Sequence, residues 1–372
     1  MATTYKTLTS NDIVSTRTLL HEAVPITGTI VSGTYNGNES INEQNIKNYS
    51  HGMFQSVYDY PFLSSSANHI FDLTVGYSNK SALSGAANVM NAKKINVYNQ
   101  MAQVLAGFDH TGSVREFDKD GDYTGGAKIQ ECIFINFSRL LTKDEIKKGS
   151  FTMSLGTGGV PEDVVWNVGG GATLYTLSDY SASTQYKVNS PAGEYGILYS
   201  SSVDAGAAGN KGMGLIYYQA GIAIITGSIF SGTLMPDGVG PAGGQVDFGI
   251  AKTVPFETGS FNAVLTGSNI SSSCDGLRNR IYNIQFDNTT ELNSTIHFCR
   301  ANHNDFNYSS NPTYLSGSKV VVKESKKDEP VSYVTGVGLY SADNELLAVA
   351  KVSEPLKKTP SNELALRVRL DY

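Results

Sequence analysis

The sequence predicts a mainly β protein of the α+β class, with antiparallel sheets in sandwich-like domains and a helical segment near residues 81–106. Residues 363–370 alternate strictly between apolar side chains and charged or small ones. This period of two is typical of an antiparallel strand with one face on a core and the other in water. Short segments rich in β-branched and aromatic residues recur elsewhere, separated by loops of Gly, Ser and Asn.

The C-terminal region reads as a hairpin followed by that alternating strand. Residues 332–341 form the first predicted strand and residues 345–352 its return. The turn at 342–344 contains Asp and Asn, which tolerate left-handed backbone and bond their own main chain. Residues 356–360 then connect the hairpin to the last strand.

The composition favours a protein that meets other proteins over wide surfaces. Of 372 residues, 17% are charged, below the roughly 25% of an average soluble domain. Gly (38) and Tyr (21) are plentiful, so the surface is polar rather than charged. The net charge of −6 and the absence of a Lys/Arg stripe argue against a nucleic-acid binder.

The three cysteines, Cys132, Cys274 and Cys299, show no metal-type spacing and are expected to be free thiols in a reducing compartment. The N-terminus lacks the apolar core of a signal peptide, and no window approaches the ~18 apolar residues of a membrane span. We therefore expect synthesis in a cytoplasm without Sec-type export or membrane insertion.

Composition and pattern suggest four regions. They are an N-terminal assembly arm (1–40), a helix-containing region (41–125), a Gly-rich β domain or insertion (126–280) and a C-terminal antiparallel β region (281–372). The arm has too few large apolar groups to fold alone, and its order is expected to depend on neighbouring subunits.

Three helical segments and one strand are predicted before residue 106. A short helix in the arm should run through 17–22, capped within 10–12, and a strand should follow at 26–32. Residues 43–60 are weakly helical. The strongest helix spans 81–105, with Gly107 at C′ and an apolar stripe of Met90, Val97, Met101, Val104 and Leu105.

The pattern then changes to β. Predicted strands lie at 128–137, 150–155, 195–199, 214–218, 221–226, 281–286 and 294–300, the last two joined by a polar connection at 287–293. A short helix should begin at Thr142 and end at Gly149. Glycine-rich loops are expected at 156–159, 169–171, 205–209 and 238–244.

Asp118, Asp120 and Asp122 resemble the start of a calcium-binding loop. An EF-hand requires glycine at the sixth position and glutamate at the twelfth, and these positions hold Tyr123 and Ile129. The pattern therefore favours a tight turn at Asp120 and the glycine after it. A looser calcium site is left open.

No catalytic or cofactor-binding motif is found. The glycine runs lack a following Gly-Lys-Ser/Thr or a dinucleotide fingerprint. The six histidines are dispersed, no Gly-x-Ser-x-Gly elbow occurs, and no cysteine has an activating partner in sequence. We expect no catalytic, cofactor-binding or metal residues and no enzyme activity.

The segment 302–314 is the most distinctive loop. Its Asn, Asp and Ser side chains are suited to satisfy backbone groups locally, while Phe306, Tyr308 and Tyr314 dock on the sheet. The alternative is a subunit contact, because aromatic residues are favoured in interfaces.

Several segments resemble virion structural proteins of contractile-tailed phages, with those of marine cyanophages the most similar. The resemblance covers about a quarter of the chain, at residues 90–110 and 298–372. The segments that carry it are 91–105, 107–109, 298–301, 306–314, 334–340, 345–355 and 367–372. The middle, 156–280, has no such counterpart.

The resemblance implies a tail or baseplate component without catalytic residues, located in the virion tail among other tail proteins and forming a homo-oligomer or ring. Three alternatives stay open. The first is a fibre or fibre adaptor that contacts the host surface, although the chain lacks repeats and heptads. The second is a neck or capsid decoration protein, and the third is a virion-borne hydrolase.

The alternation of the last strand gives a test of its register. Leu366→Asp places a charge on the face predicted to be buried, so we expect insoluble or unassembled protein. Arg367→Asp lies on the other face and should melt like the wild type. The opposite result in thermal melting would mean that the register is wrong by one residue.

Overall fold

A computed structural model describes residues 5–30, 45–85, 89–157, 173–206, 211–230, 269–309, 311–317, 319–320, 325 and 327–372. Within these ranges the protein is mainly β with few helices and antiparallel strand pairs, which confirms the predicted fold class. None of the helices described combines the length and apolar character that crossing a bilayer requires. The glycine loops at 169–171 and 238–244 lie outside the described residues.

The strands are numbered in chain order. They are β1 Ile13–Pro25, β2 Ile46–Asn48, β3 Gln55–Tyr58, β4 His69–Tyr77, β5 Phe117–Asp118, β6 Lys128–Ile129, β7 Glu131–Phe137, β8 Glu145–Ile146, β9 Thr152–Thr157, β10 Thr173–Ser178, β11 Lys187–Ser190, β12 Gly193–Leu198, β13 Gly214–Tyr217, β14 Ile222–Thr226, β15 Ile281–Ala301, β16 Leu315–Ser316, β17 Lys319–Val320, β18 Ser332–Tyr340, β19 Leu346–Lys358 and β20 Leu364–Asp371.

The α-helices are short apart from two. They are α1 Val89–Leu105, α2 Arg139–Thr142, α3 Ala182–Gln185, α4 Ser202–Gly206 and α5 Ile270–Arg280. Further 3₁₀ turns lie at Ser10–Asp12, Thr27–Thr29, Ala82–Gly85, Gly227–Phe230 and Pro312–Tyr314.

The chain divides into two compact units. One, here called the core unit, is Leu20–Thr290. The other, here called the terminal unit, combines Met1–Leu19 with Glu291–Tyr372. Both ends of the chain therefore belong to the same unit.

The core unit is built on an eight-stranded antiparallel sheet in the order β11-β12-β13-β14-β7-β4-β3-β2. The strand β7 lies inside this sheet, where Ile135 pairs with Ala223 of β14 on one side and Leu73 of β4 on the other. Residues 132–135 of β7 are all buried. A continuous apolar run of this kind is typical of a strand covered on both faces.

Two layers cover β7. On one face, the ring centroid of Phe134 lies 6.5 Å from that of Tyr98 in α1. Phe137, three residues later, points to the opposite face, where its ring lies 6.0 Å from Phe151 and 5.2 Å from Phe286 of β15. Since β15 pairs with β9, a second sheet packs on this face. The core unit thus has a helix–sheet–sheet arrangement.

The contact between α1 and β4 depends on a glycine. A Cβ atom added to Gly76 of β4 would lie 2.7 Å from the carbonyl oxygen of Lys94 and 2.9 Å from the amide nitrogen of Tyr98. Both are helix backbone atoms that cannot move independently of α1. The missing side chain therefore lets the helix backbone approach the sheet directly.

The prediction for the strongest helix is confirmed in part. Its α-helical turns begin at Val89, a 3₁₀ turn precedes them at Ala82–Gly85, and Gly107 has a φ of 78° as expected for C′. Residues 86–88 lie outside the described ranges.

The two helices expected earlier in the chain are wrong. Residues 17–22 lie in the strand β1 instead, and Ile13-Val-Ser-Thr at its start supplies the β-branched side chains that favour a strand. Residues 43–60 contain β2 and β3, which pair with each other. Sheet pairing has overridden weak local helix preference in both segments.

Two boundary predictions also need correction. Thr142 ends α2 rather than beginning a helix, and the strand β8 follows it. In the segment 26–32, a 3₁₀ turn occupies Thr27–Thr29 where a strand was expected, and residues 31 and 32 lie outside the described residues.

The polar connection expected at 287–293 is part of the continuous strand β15. Asn288 and Thr289 pair there with Ile146 and Glu145 of β8, and both are buried. The amide nitrogen Nδ2 of Asn288 donates to the carbonyl oxygen of Leu141 at 2.9 Å. Polar side chains are thus tolerated in a buried strand because they find partners.

The terminal unit contains the hairpin and the last strand as predicted. Strands β18 and β19 pair with Val337 opposite Ala350, and Asn344 in the turn has a φ of 63°. The last strand, β20, pairs with β15, with Leu366 opposite Cys299. Its apolar side chains are buried or half-buried and the residues between them are exposed, which confirms the alternation.

The helix–sheet contact gives a second testable prediction. Gly76→Ala should lower the free energy of unfolding by about 1–3 kcal/mol, because the new methyl group meets fixed backbone of α1. Gly85→Ala is the matched control, since a Cβ there meets nothing within 4 Å. Urea unfolding of both variants measures the difference. Equal stability of the two variants would contradict the direct backbone contact.

Candidate functional site

The acidic turn between β5 and β6 brings together the three aspartates that the sequence singles out. One carboxylate oxygen from each of Asp118, Asp120 and Asp122 lies within 4.8 Å of the others. Oxygen ligands of this type suit Ca²⁺. Among the described residues, this is the one group of three potential metal ligands whose ligand atoms lie close enough together to hold an ion.

Each of the three carboxylates accepts a hydrogen bond from a backbone amide, while Oδ1 of Asp118 is buried without a hydrogen-bond partner. Asp118 is fully buried, and its Oδ2 accepts from the amide of Tyr123 at 2.8 Å and lies 2.9 Å from Nζ of Lys128. Burial raises the pKa of Asp118 against the lowering effect of Lys128. Asp122 accepts from the amide of Thr124 at 2.7 Å, which lowers its pKa. The ammonium group of Lys128 thus supplies positive charge here, and the geometry fits the predicted tight turn.

A buried carboxyl group at Asp179 is a feature that sequence reasoning missed. Its oxygens accept hydrogen bonds from the amide of Gly149 at 2.7 Å, the amide of Phe151 at 3.1 Å and the hydroxyl of Tyr218 at 2.9 Å. Burial raises its pKa to about 6, against the lowering effect of these three donors. Shifted pKa values are frequent in active sites. Here both carboxylate oxygens of Asp179 are engaged. They connect the turn that precedes β9 with Tyr218, which directly follows β13, so this carboxyl group has a structural role.

A serine, a histidine and an aspartate meet at Asp72, but in an order that does not support catalysis. The hydroxyl of Ser56 donates to Oδ1 of Asp72, and Nε2 of His69 lies 2.8 Å from the same oxygen. A nucleophilic triad requires the histidine between the hydroxyl and the carboxylate. In this arrangement the carboxylate is in the middle, so His69 is not placed as the base that such a triad requires.

The three cysteines are free, as expected. Cys132 and Cys274 are buried, and burial raises the pKa of the Cys132 thiol, which makes it unreactive.

The terminal unit differs from the core unit in what it buries. Among its described residues, Val368 is the one hydrophobic side chain classed as buried, with 8% exposed, whereas the core unit buries an extensive apolar cluster. Large apolar side chains are instead exposed, and we call them the terminal apolar surface. They are Tyr5, Ile13, Val14, Leu19, Leu292, Phe306, Tyr308, Tyr333, Tyr340, Leu346, Leu347, Val349 and Tyr372.

This surface includes both faces of β1 and one face of β19. Ile13 and Val14 are consecutive in β1, and both are exposed. Since successive side chains of a strand point to opposite faces, both faces of β1 carry exposed apolar groups there. In β19, Leu346 and Val349 lie opposite Tyr340 and Gly338 on one face, and both are exposed. Exposed apolar surface of this extent is typical of an interaction site.

Ion pairs attach the N-terminal segment to the rest of the terminal unit. Lys6 pairs with Asp305 and Arg17 with Glu291, and Nε of Arg300 lies 3.2 Å from Oδ1 of Asp12. Exposed pairs of this kind each contribute little, about 0–1 kcal/mol. They fix position more than they supply stability.

The loop at 302–314 is held by polar contacts, and its aromatic residues are mostly free of the sheet. The ammonium group of Lys358, which is fully buried, donates to the carbonyls of His303 and Thr359 and to Oδ1 of Asn307 at 2.7 Å. Phe306 adopts a φ of 55°, unusual for a bulky residue. Phe306 and Tyr308 are exposed, so the expected docking is wrong for these two.

Comparison of the chain with models of known protein families, with curated proteins and with solved structures found no match. The fold and these contacts therefore define the chain as a mainly β protein with a large exposed apolar surface. The resemblance to tail proteins of contractile-tailed phages stays a prediction.

The pKa of Asp179 predicts a pH-dependent stability. Because its folded pKa is about 6 and its unfolded pKa about 3.9, the native state keeps a proton that the unfolded state has released in that window. The contribution of protonated Asp179 to the free energy of unfolding is complete below pH 4 and is lost as the pH rises through about 6. Relative to Asp179→Asn, the wild-type free energy of unfolding should fall by about 2–3 kcal/mol between pH 4 and pH 7. Denaturant titrations across this range measure it. Parallel profiles would show that Asp179 is ionised throughout.

Proposed function

We propose that the chain is a structural subunit of a tailed-phage virion, most specifically of the tail baseplate, and that it acts through protein–protein contacts without catalysis. The observation that carries this proposal is the terminal apolar surface, which is exposed on both faces of β1 and on one face of β19. A subunit whose apolar side chains remain uncovered in the single chain is suited to a permanent assembly.

The polar clusters support binding over chemistry. The carboxylate of Asp118 is held by Lys128, that of Asp179 by two amides and a hydroxyl, and Asp72 separates Ser56 from His69. Each of these groups has a structural partner. Exposed aromatics such as Tyr308 and Tyr372 are side chains that interfaces favour.

The proposed partners are other virion tail or baseplate proteins and further copies of the same chain in a ring. The proposed location is the tail of the particle, after synthesis in the cytoplasm of the bacterial host. The resemblance of residues 90–110 and 298–372 to tail proteins is what directs the proposal to a phage.

Immunogold labelling of purified virions tests the location. Antibodies raised against the purified chain should label the distal end of the tail, and antibodies against the major capsid protein of the same phage provide the control. Labelling of fibres or of the neck and capsid would favour the two structural alternatives over a baseplate. Absence of the chain from particles purified by density gradient, measured by mass spectrometry, would overturn a virion role altogether.

A further inference from the structure

We propose that the terminal unit is a self-assembly module, and that the terminal apolar surface of one chain is covered by the terminal units of neighbouring copies in a closed ring of three or more. This inference rests on the proposed function, since it names the partner of the surface through which that function acts. It concerns residues 5–19 and the described part of 291–372.

The first argument is the amount of exposed apolar surface. The thirteen side chains of the terminal apolar surface are each exposed by 39–77%, and Tyr308, Leu347 and Tyr372 by more than two thirds. At about 150–250 Å² for a large side chain, they present on the order of 1,000 Å². A standard stable interface buries about 800 Å² per partner. The surface is therefore large enough for more than one contact.

The second argument is the distribution of this surface over two faces. In a two-fold dimer both chains use the same patch, so the opposite face of each strand would stay exposed. The consecutive residues Ile13 and Val14 place apolar groups on both faces of β1. A ring brings two different surfaces of each copy into contact, one with each neighbour, and covers both faces.

The third argument is the hairpin itself. Strands β18 and β19 form a two-stranded sheet and have no further strand neighbour among the described residues. An isolated hairpin is marginally stable in water. Its edges offer backbone groups to an added strand, and a copy of the same unit brings strands of matching length.

The fourth argument is charge, and it favours further copies of this chain as the partner. Residues 291–372 contain ten basic and ten acidic side chains. Charges of opposite sign follow one another along the exposed strand β19, as with Lys351 and Glu354. Identical units therefore approach one another without net repulsion, and offer each other opposite charges at the rim.

Native mass spectrometry and light scattering of the purified full-length chain test the proposal. The wild type should be a closed oligomer of at least three chains. Leu346→Asp combined with Val349→Asp, on the exposed face of β19 opposite Tyr340 and Gly338, should raise the dissociation constant by about tenfold or more. Val14→Asp in β1 should do the same. Leu63→Asp is the matched control, because Leu63 is 88% exposed in the core unit.

The outcomes separate this proposal from the proposed function. Hydrogen exchange of β7 should be unchanged in all variants, which shows that dissociation does not come from unfolding of the core unit. A monomeric or two-chain wild type would overturn the ring, as would a ring that survives both the β19 and the β1 substitutions. Presence of the chain in virions would still support the structural role in that case. A ring formed by a chain absent from virions would overturn the virion role and leave the self-assembly module standing.

Discussion

The core unit depends on the position of β7 inside its sheet. This strand pairs on both edges, with β4 and β14, and it is covered on both faces, by α1 through Phe134 and by the second sheet through Phe137. Every layer of the unit therefore contacts one seven-residue strand. The same constraint explains Gly76, because the neighbouring strand β4 must admit the helix backbone closely enough for Tyr98 to reach Phe134. Close packing of this kind is typical of a protein interior.

The terminal unit is stabilised in a different way. Ordering each residue's backbone costs about 1–2 kcal/mol, which domains of this length offset by burying many apolar side chains. In the terminal unit, Val368 is the one buried hydrophobic side chain among the described residues. Lys358 is also buried, and its ammonium group donates to three oxygen acceptors. Ion pairs hold the N-terminal segment in place. Hydrogen bonds and exposed ion pairs contribute modestly, so they specify a conformation more than they stabilise it. The association proposed above would supply the apolar burial that the terminal unit lacks.

Sequence patterns predicted these elements where local and tertiary preferences agree. The alternation of 363–370 was sufficient because one face is covered and the other is not, and Gly107 was recognised because only a flexible residue suits its φ of 78°. Prediction failed in β1, where pairing with a distant strand decides the conformation. It also failed in the polar middle of β15, where Asn288 is buried because Leu141 accepts its hydrogen bond. Of the candidate sites, the acidic turn was predicted from its spacing. The exposure of Phe306 was not predicted from the sequence, because the exposure of a side chain depends on tertiary contacts that local sequence does not specify.

The two units also differ in their net charge. The terminal unit contains 12 basic and 11 acidic side chains, which gives it a formal charge of +1. Because the whole chain has a net charge of −6, the core unit has a charge of −7. Copies that meet through their terminal units therefore meet with little repulsion, while their core units keep a like charge that opposes further association. Large apolar side chains are exposed in both units, 13 in each, but the terminal unit has 101 residues against 271 and buries a single hydrophobic side chain among its described residues. In the assembly proposed above, the less charged unit is therefore the one that offers apolar contact surface to neighbouring copies.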